Sequence, residues 1–249
     1  MKRLTLVLVI CLVLFPVTVF SQSVDDLTLY TEQYPPFNFE EGGRLQGISI
    51  DLMEEMLARA GSGLSRADIE LVPWSLGYER AQDRPNHAVF AMTRTAAREN
   101  LFKWVGPISP TKVVLTGKQG ANISINSISD VQRYTIGTVR DDVGEAILLE
   151  QGVPRRVLDP VPSPDPNVQK LAADRIDLWA YEESVARWLI NSAGFNVGDY
   201  ETYWVLSEAE LYFGFNPGTP DAVIRQLQDA LDSIRADGTY DRIVASYLD

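Results

Sequence analysis

Short apolar runs of strand length alternate with stretches of helical spacing along this chain. Leu27-Thr28-Leu29-Tyr30 alternates apolar and polar positions and predicts a strand. Tyr34-Pro35-Pro36-Phe37 cannot extend it, because proline has no N–H to give to a ladder. A turn is expected at Glu41-Gly42-Gly43. Within residues 50–60, Met53, Met56, Leu57 and Ala60 share one helical face, and Gly61 marks the stop. Ile69-Glu70-Leu71-Val72 reads as a second strand. Ala88-Val89-Phe90-Ala91-Met92 is continuously apolar, as a strand covered on both faces would be. The first hundred residues therefore read as an α/β unit with a parallel sheet.

The alternation then restarts. Strands are expected at 112–115, 134–139, 156–158 and 177–180, with helices over 142–149, 167–174 and 183–193. The stretch from Pro160 to Pro166 holds four prolines and reads as a loop. A last strand is expected near 211–215, and two helices close the chain. The first has Thr219 as cap, Pro220 at its opening position and a stripe of Val223, Ile224, Leu227, Ala230, Leu231 and Ile234. Gly238 ends it, and Thr239 caps the second.

Composition changes the picture at the N-terminus first. Lys2 and Arg3 precede an almost wholly apolar run from Leu4 to Phe20, and Val19-x-Ser21 offers a cleavage site. This is a signal-peptide pattern, so residues 1–21 are set aside and cleavage after Ser21 is expected, with export to a periplasm. Cys11 is the one cysteine and falls inside that run, so a disulfide, a thiolate metal site and a lipidated terminus are excluded for the mature chain. The 34 acidic residues against 22 basic ones argue against nucleic acid as a partner. One histidine, His87, sits in a Pro85-Asn86-His87 loop, and no cluster with metal-ligand spacing or phosphate loop appears. No cofactor is expected.

Several stretches, in order, resemble the bacterial extracellular solute-binding proteins of family 3, the amino-acid type. They are Tyr34-Pro35-Pro36-Phe37-x-Phe39, Gly47-Ile48-Ser49-Ile50-Asp51-Leu52, Thr93-Arg94-Thr95-Ala96-Ala97-Arg98-Glu99, Ile136-Gly137-Thr138-Val139, Asp174-Arg175-Ile176-Asp177-Leu178-Trp179 and Asp237-Gly238-Thr239-Tyr240. The resemblance runs from about Leu27 to Leu248. It implies a type II periplasmic-binding-protein-like fold, with two α/β lobes, two crossover hinge strands and a ligand in the cleft between them. Residues 22–108 and 210–249 would form lobe 1, and residues 109–209 lobe 2. Clefts between domains and the carboxyl ends of open α/β sheets are also where physical reasoning puts a ligand.

The resemblance also implies site residues. Arg98 would grip a ligand carboxylate, a task its planar fork of donors suits, with Thr93 and Thr95 completing that site. Glu182 stands where the family has an aspartate that pairs with the ligand's ammonium. Tyr34, Trp74, Tyr78 and Tyr181 would wall the cleft, and Glu32 could meet an ammonium. After Val139 the family offers a small Gly/Thr/Ser loop with backbone donors for the carboxylate. Here the stretch is Arg140-Asp141-Asp142, in which Arg140 favours an anion and the two acids oppose it. The implied function is binding without catalysis: a monomer captures a small amino-acid-like carboxylate by hinge closure and presents it to an inner-membrane transporter or sensor. The alternative is an enzyme on the same fold, dehydratase-like on small carboxylic acids.

Overall fold

The computed structural model describes residues 23–248; the expected signal peptide lies outside them. Ten strands and seven helices follow in the order β1 (Thr28–Thr31), β2 (Phe39–Glu41), β3 (Arg44–Gln46), α1 (Ile48–Arg59), β4 (Ile69–Leu71), α2 (Trp74–Asp83), β5 (His87–Thr93) and β6 (Lys103–Lys118). Then come β7 (Ile136–Val139), α3 (Val143–Glu150), β8 (Leu158–Val161), α4 (Asp165–Ala172), β9 (Leu178–Glu182), α5 (Glu183–Ser192), β10 (Tyr200–Phe215), α6 (Asp221–Ala236) and α7 (Thr239–Leu248).

Eight strands form one sheet in the order β4-β1-β5-β10-β6-β9-β7-β8. β1 lies parallel between β4 and β5, and β7 lies parallel between β8 and β9. Between these two sets runs an antiparallel pair, β6 with β10, each 16 residues long. This pair reaches from Lys103 against Phe215 at one end to Lys118 against Tyr200 at the other. The inner strands β1, β5, β7 and β9 are largely buried, as helices on both faces require, while the outer strands β4 and β8 are partly exposed.

The helices form for the reasons their sequences suggest. On α1, Ile48, Leu52, Met53, Met56 and Leu57 are fully buried, and the helix packs on α6 and α7. Gly47, which precedes it, has φ +122°, and a β-carbon there would sit 2.4 Å from the Phe37 carbonyl oxygen, so no other residue fits. Side chains from α6 and α7 also hold the start of β6. Gln228 accepts from the Gly106 N–H at 2.9 Å, Arg235 donates to the Pro107 carbonyl, and the Tyr240 hydroxyl donates to the Ile108 carbonyl at 2.6 Å.

Three local expectations are corrected. The proline-rich stretch is not a plain loop: Pro160 lies within β8, Pro164 caps α4 and Pro166 lies in its first turn, where a missing N–H costs nothing. Thr219 does not cap α6, which begins one residue later after Pro220. The two strands expected at 112–115 and 211–215 are the visible fragments of β6 and β10.

Candidate functional site

The carboxyl ends of β1 and β5 point at the N-termini of α3 and α5, and the side chains between them are almost all buried. Among the described residues, the charged side chains classed as buried are four carboxylates and one guanidinium: Glu32, Asp142, Glu145, Glu182 and Arg98. All five lie at this junction. Exposure is 6 % for Glu32, 7 % for Asp142, 3 % for Glu182 and 5 % for Arg98, so these groups have left water.

Arg98 sits in the loop between β5 and β6, its N–H closing a turn onto Thr95. Its guanidinium donates to the Thr93 carbonyl at 3.3 Å on its own side and to the Asp141 carbonyl at 3.3 Å across the junction. It also lies over the rings of Trp74 and Tyr78, at 5.4 and 5.0 Å. Trp74 Nε1 donates to the same Asp141 carbonyl at 2.9 Å. Asp141 can present that oxygen because it has φ +61° and because Glu145 accepts from its N–H at 2.8 Å. Asp142 then caps α3, accepting from the Gly144 N–H at 3.4 Å.

Glu32 follows β1. Its backbone is pinned by the buried Asn38, whose Nδ2 donates to the Glu32 carbonyl at 2.8 Å while its Oδ1 accepts from the Ala91 N–H. Burial pushes the Glu32 carboxyl well above the ordinary range, Asp142 adds to the rise, and Arg98 opposes it. Asp142 is raised by burial too, against the pull of Arg98. Glu182 caps α5, accepting from the Val185 N–H at 2.7 Å, and burial pushes its pKa up to about 7. Tyr34 and Tyr181 meet edge to face with centroids 5.6 Å apart. Both phenols are raised well above the ordinary value, first by burial and then by the surrounding acids. The Tyr181 hydroxyl is fully buried and has no hydrogen-bond partner among the described residues.

Glu32, Tyr34, Trp74, Thr93, Arg98, Tyr181 and Glu182 are thus brought together. Thr95 and Tyr78 stand half-buried at the edge, where with Arg98, Asp141, Val143 and Ile147 they line a groove of about 250 Å3. Arg140 is the exception. It is exposed, and its N–H is spent on the Val161 carbonyl in the turn after β7. The residue that enters the junction from this loop is Asp142, which the site list drawn from sequence lacks. An aspartate directly before an apolar helix start, with Glu145 in the first turn, was the available signal. Among the described residues no group of three or more His, Cys, Asp or Glu could hold a metal ion.

Two α/β halves joined by two long shared strands, with a charged and aromatic junction between them, define a two-lobed ligand-binding protein. The sequence matches the bacterial extracellular solute-binding proteins, family 3, over residues 27–249, and the chain belongs to that family. No curated protein sequence matches it. Among solved structures it is similar to a histidine kinase sensor domain described as similar to periplasmic binding proteins, with TM-score 0.77 at 16 % identity, covering 89 % of this chain and 96 % of that one. It is also similar to an ancestral arginine-binding protein bound to arginine, with TM-score 0.75 at 20 % identity, covering 91 % and 100 %. A third is the arginine-, lysine-, histidine-binding protein ArtJ of Geobacillus stearothermophilus, with TM-score 0.75 at 16 % identity, covering 89 % and 95 %. Among the described residues no helix is long and apolar enough to cross a membrane.

Proposed function

We propose that the protein captures a small amino-acid-like ligand in this cleft by closing its lobes, without transforming it, and passes it to a membrane transporter from a periplasmic location. Arg98 takes the ligand's carboxylate, and the cleft acids take its ammonium. The observation that carries this reading is the gathering of all the buried charges of the described residues at the junction of the two halves. A folded protein does not bury four carboxylates and a guanidinium for stability, because desolvation offsets what pairing returns. The named ligands of its structural neighbours, arginine, lysine and histidine among them, support an amino-acid-type ligand.

Lobe 1 comprises residues 22–108 with 210–249, and lobe 2 residues 109–209. The bracing of Gly106, Pro107 and Ile108 by α6 and α7 supports a hinge that begins just after Ile108. Hinge closure about a few strand residues is an established mode of ligand capture. Sensing for a membrane kinase is the second reading, favoured by the likeness to a kinase sensor domain.

Calorimetry of the mature protein against amino acids, polyamines and small organic acids tests the reading. Arg98→Ala is expected to weaken the ligand so found by roughly 30- to several thousand-fold, the effect of 2–5 kcal/mol from breaking a buried charge pair. Its far-UV dichroism should not change. Unchanged affinity would remove Arg98 from the site.

A further inference from the structure

The cleft does not balance its own charge. Glu32, Asp142 and Glu182 are buried there with Arg98 as the one buried cation among the described residues. The remaining buried acid, Glu145, is turned to the Asp141 N–H. Two further cations stand near this end and neither is buried: Lys112 is 37 % exposed and pairs with Glu183 at 3.1 Å, and Arg140, just before Asp141, is exposed. Glu183 in turn adds negative potential at Glu182. Apart from the β5 end and the loop after it, which bring Thr93 and Arg98, the elements facing the cleft bring acids and phenols: Glu32 follows β1, the α3 terminus carries Asp142, and β9 ends in Tyr181 and Glu182.

The α3 terminus sharpens the point. A helix N-terminus with uncommitted N–H groups attracts anions. Here that end is already filled by the Asp142 carboxylate, and the residue before it turns a carbonyl, not an N–H, toward Arg98. Lobe 2 therefore offers acceptors where an anionic group would need donors. The buried Tyr181 hydroxyl, without a partner among the described residues, is a further polar atom beside Tyr34 and in the field of Glu32 and Asp142.

We propose that the ligand is a net cation, a small molecule with more positive than negative groups, held with a cationic group against Glu32 and Asp142 beside the Tyr34 and Tyr181 rings. This rests on the reading of the junction as an amino-acid-type binding cleft. Closure over a neutral zwitterion leaves the acids uncompensated in a dry site, whereas closure over a cation pairs them. Burial raises the pKa values of Glu32, Asp142 and Glu182, and a cationic group brought beside them would favour their charged forms.

The test is calorimetry at pH 7.5 with arginine, lysine, agmatine, glutamine and glutamate. At least one of the three cations should bind ten-fold or more tightly than glutamine, and glutamate should not bind. Binding of the cation should release protons, seen as a dependence of the measured heat on buffer ionisation enthalpy. Glu32→Gln and Asp142→Asn should each weaken binding of the cation by at least ten-fold more than they weaken binding of glutamine, with a melting temperature at pH 7.5 no lower than that of the parent. Agmatine binding more tightly than arginine would keep the cation and remove the carboxylate from the proposed function. Glutamine or glutamate binding as tightly as every cation would overturn the inference and leave the binding reading standing. A folded protein that binds none of the five would overturn both.

Discussion

At the scale of single residues, the site is held by groups whose ordinary states have been shifted by burial. Glu182 makes the clearest case. Its carboxyl has a folded-state pKa of about 7 against 4.5 in the unfolded chain, first because it has lost water. A carboxyl raised in this way binds its proton more tightly when folded. Its cost to stability is absent below pH 4.5, grows between pH 4.5 and 7, and is complete above pH 7, where it is about 3 kcal/mol. Glu182→Gln should therefore be more stable than the parent at pH 8, with the gap closing by pH 4.5. Urea denaturation at both pH values measures it, and a gap that does not change with pH would show that Glu182 is hydrated in the folded protein. In the sequence, Tyr34, Thr93, Thr95 and Arg98 stood out because they fall within recognisable stretches, whereas Trp74, Tyr78, Tyr181 and Glu182 lie outside those stretches and were expected only from the resemblance. Arg140 was misplaced because sequence order alone does not say which of three consecutive polar residues a turn sends inward. The left-handed backbone at Asp141 decides it here.

At the scale of elements, what brings α3 to the cleft is a close approach. A β-carbon on Gly144 would come within 2.8 Å of the Ala180 carbonyl, so the first turn of α3 rests directly on the backbone of β9. Gly144→Ala should push α3, and Asp142 with it, away from β9. A loss of about 1–3 kcal/mol, the usual cost of overpacking, is expected from the denaturant midpoint, together with weaker ligand binding. Stability equal to the parent's would mean that α3 rides freely on the sheet. Periodicity revealed α1, α3, α4, α5, α6 and α7, each of which has an apolar face. It did not reveal α2, which buries only Trp74, Gly77 and Ala81. It also truncated the two longest strands. β6 carries Pro107 and Pro110, and β10 exposes residues along its middle, so neither shows an unbroken apolar signal. Their length comes from pairing with each other, a long-range property that no local window contains.

At the scale of the whole molecule, the two halves repeat one arrangement, a parallel set of three strands flanked on its inner edge by the β6–β10 pair. β10 pairs with β5 in one half while β6 pairs with β9 in the other, so neither crossing strand is an appendage of a single half. That construction has a thermodynamic consequence. Melting either half alone would strip hydrogen bonds from one side of a ribbon the other half still uses, leaving a long open edge. The molecule should therefore lose its structure in one cooperative step despite its bilobed form. Differential scanning calorimetry should give a single endotherm with matching calorimetric and van't Hoff enthalpies. Two resolved peaks would mean that the ribbon parts in the middle and each half keeps its own share.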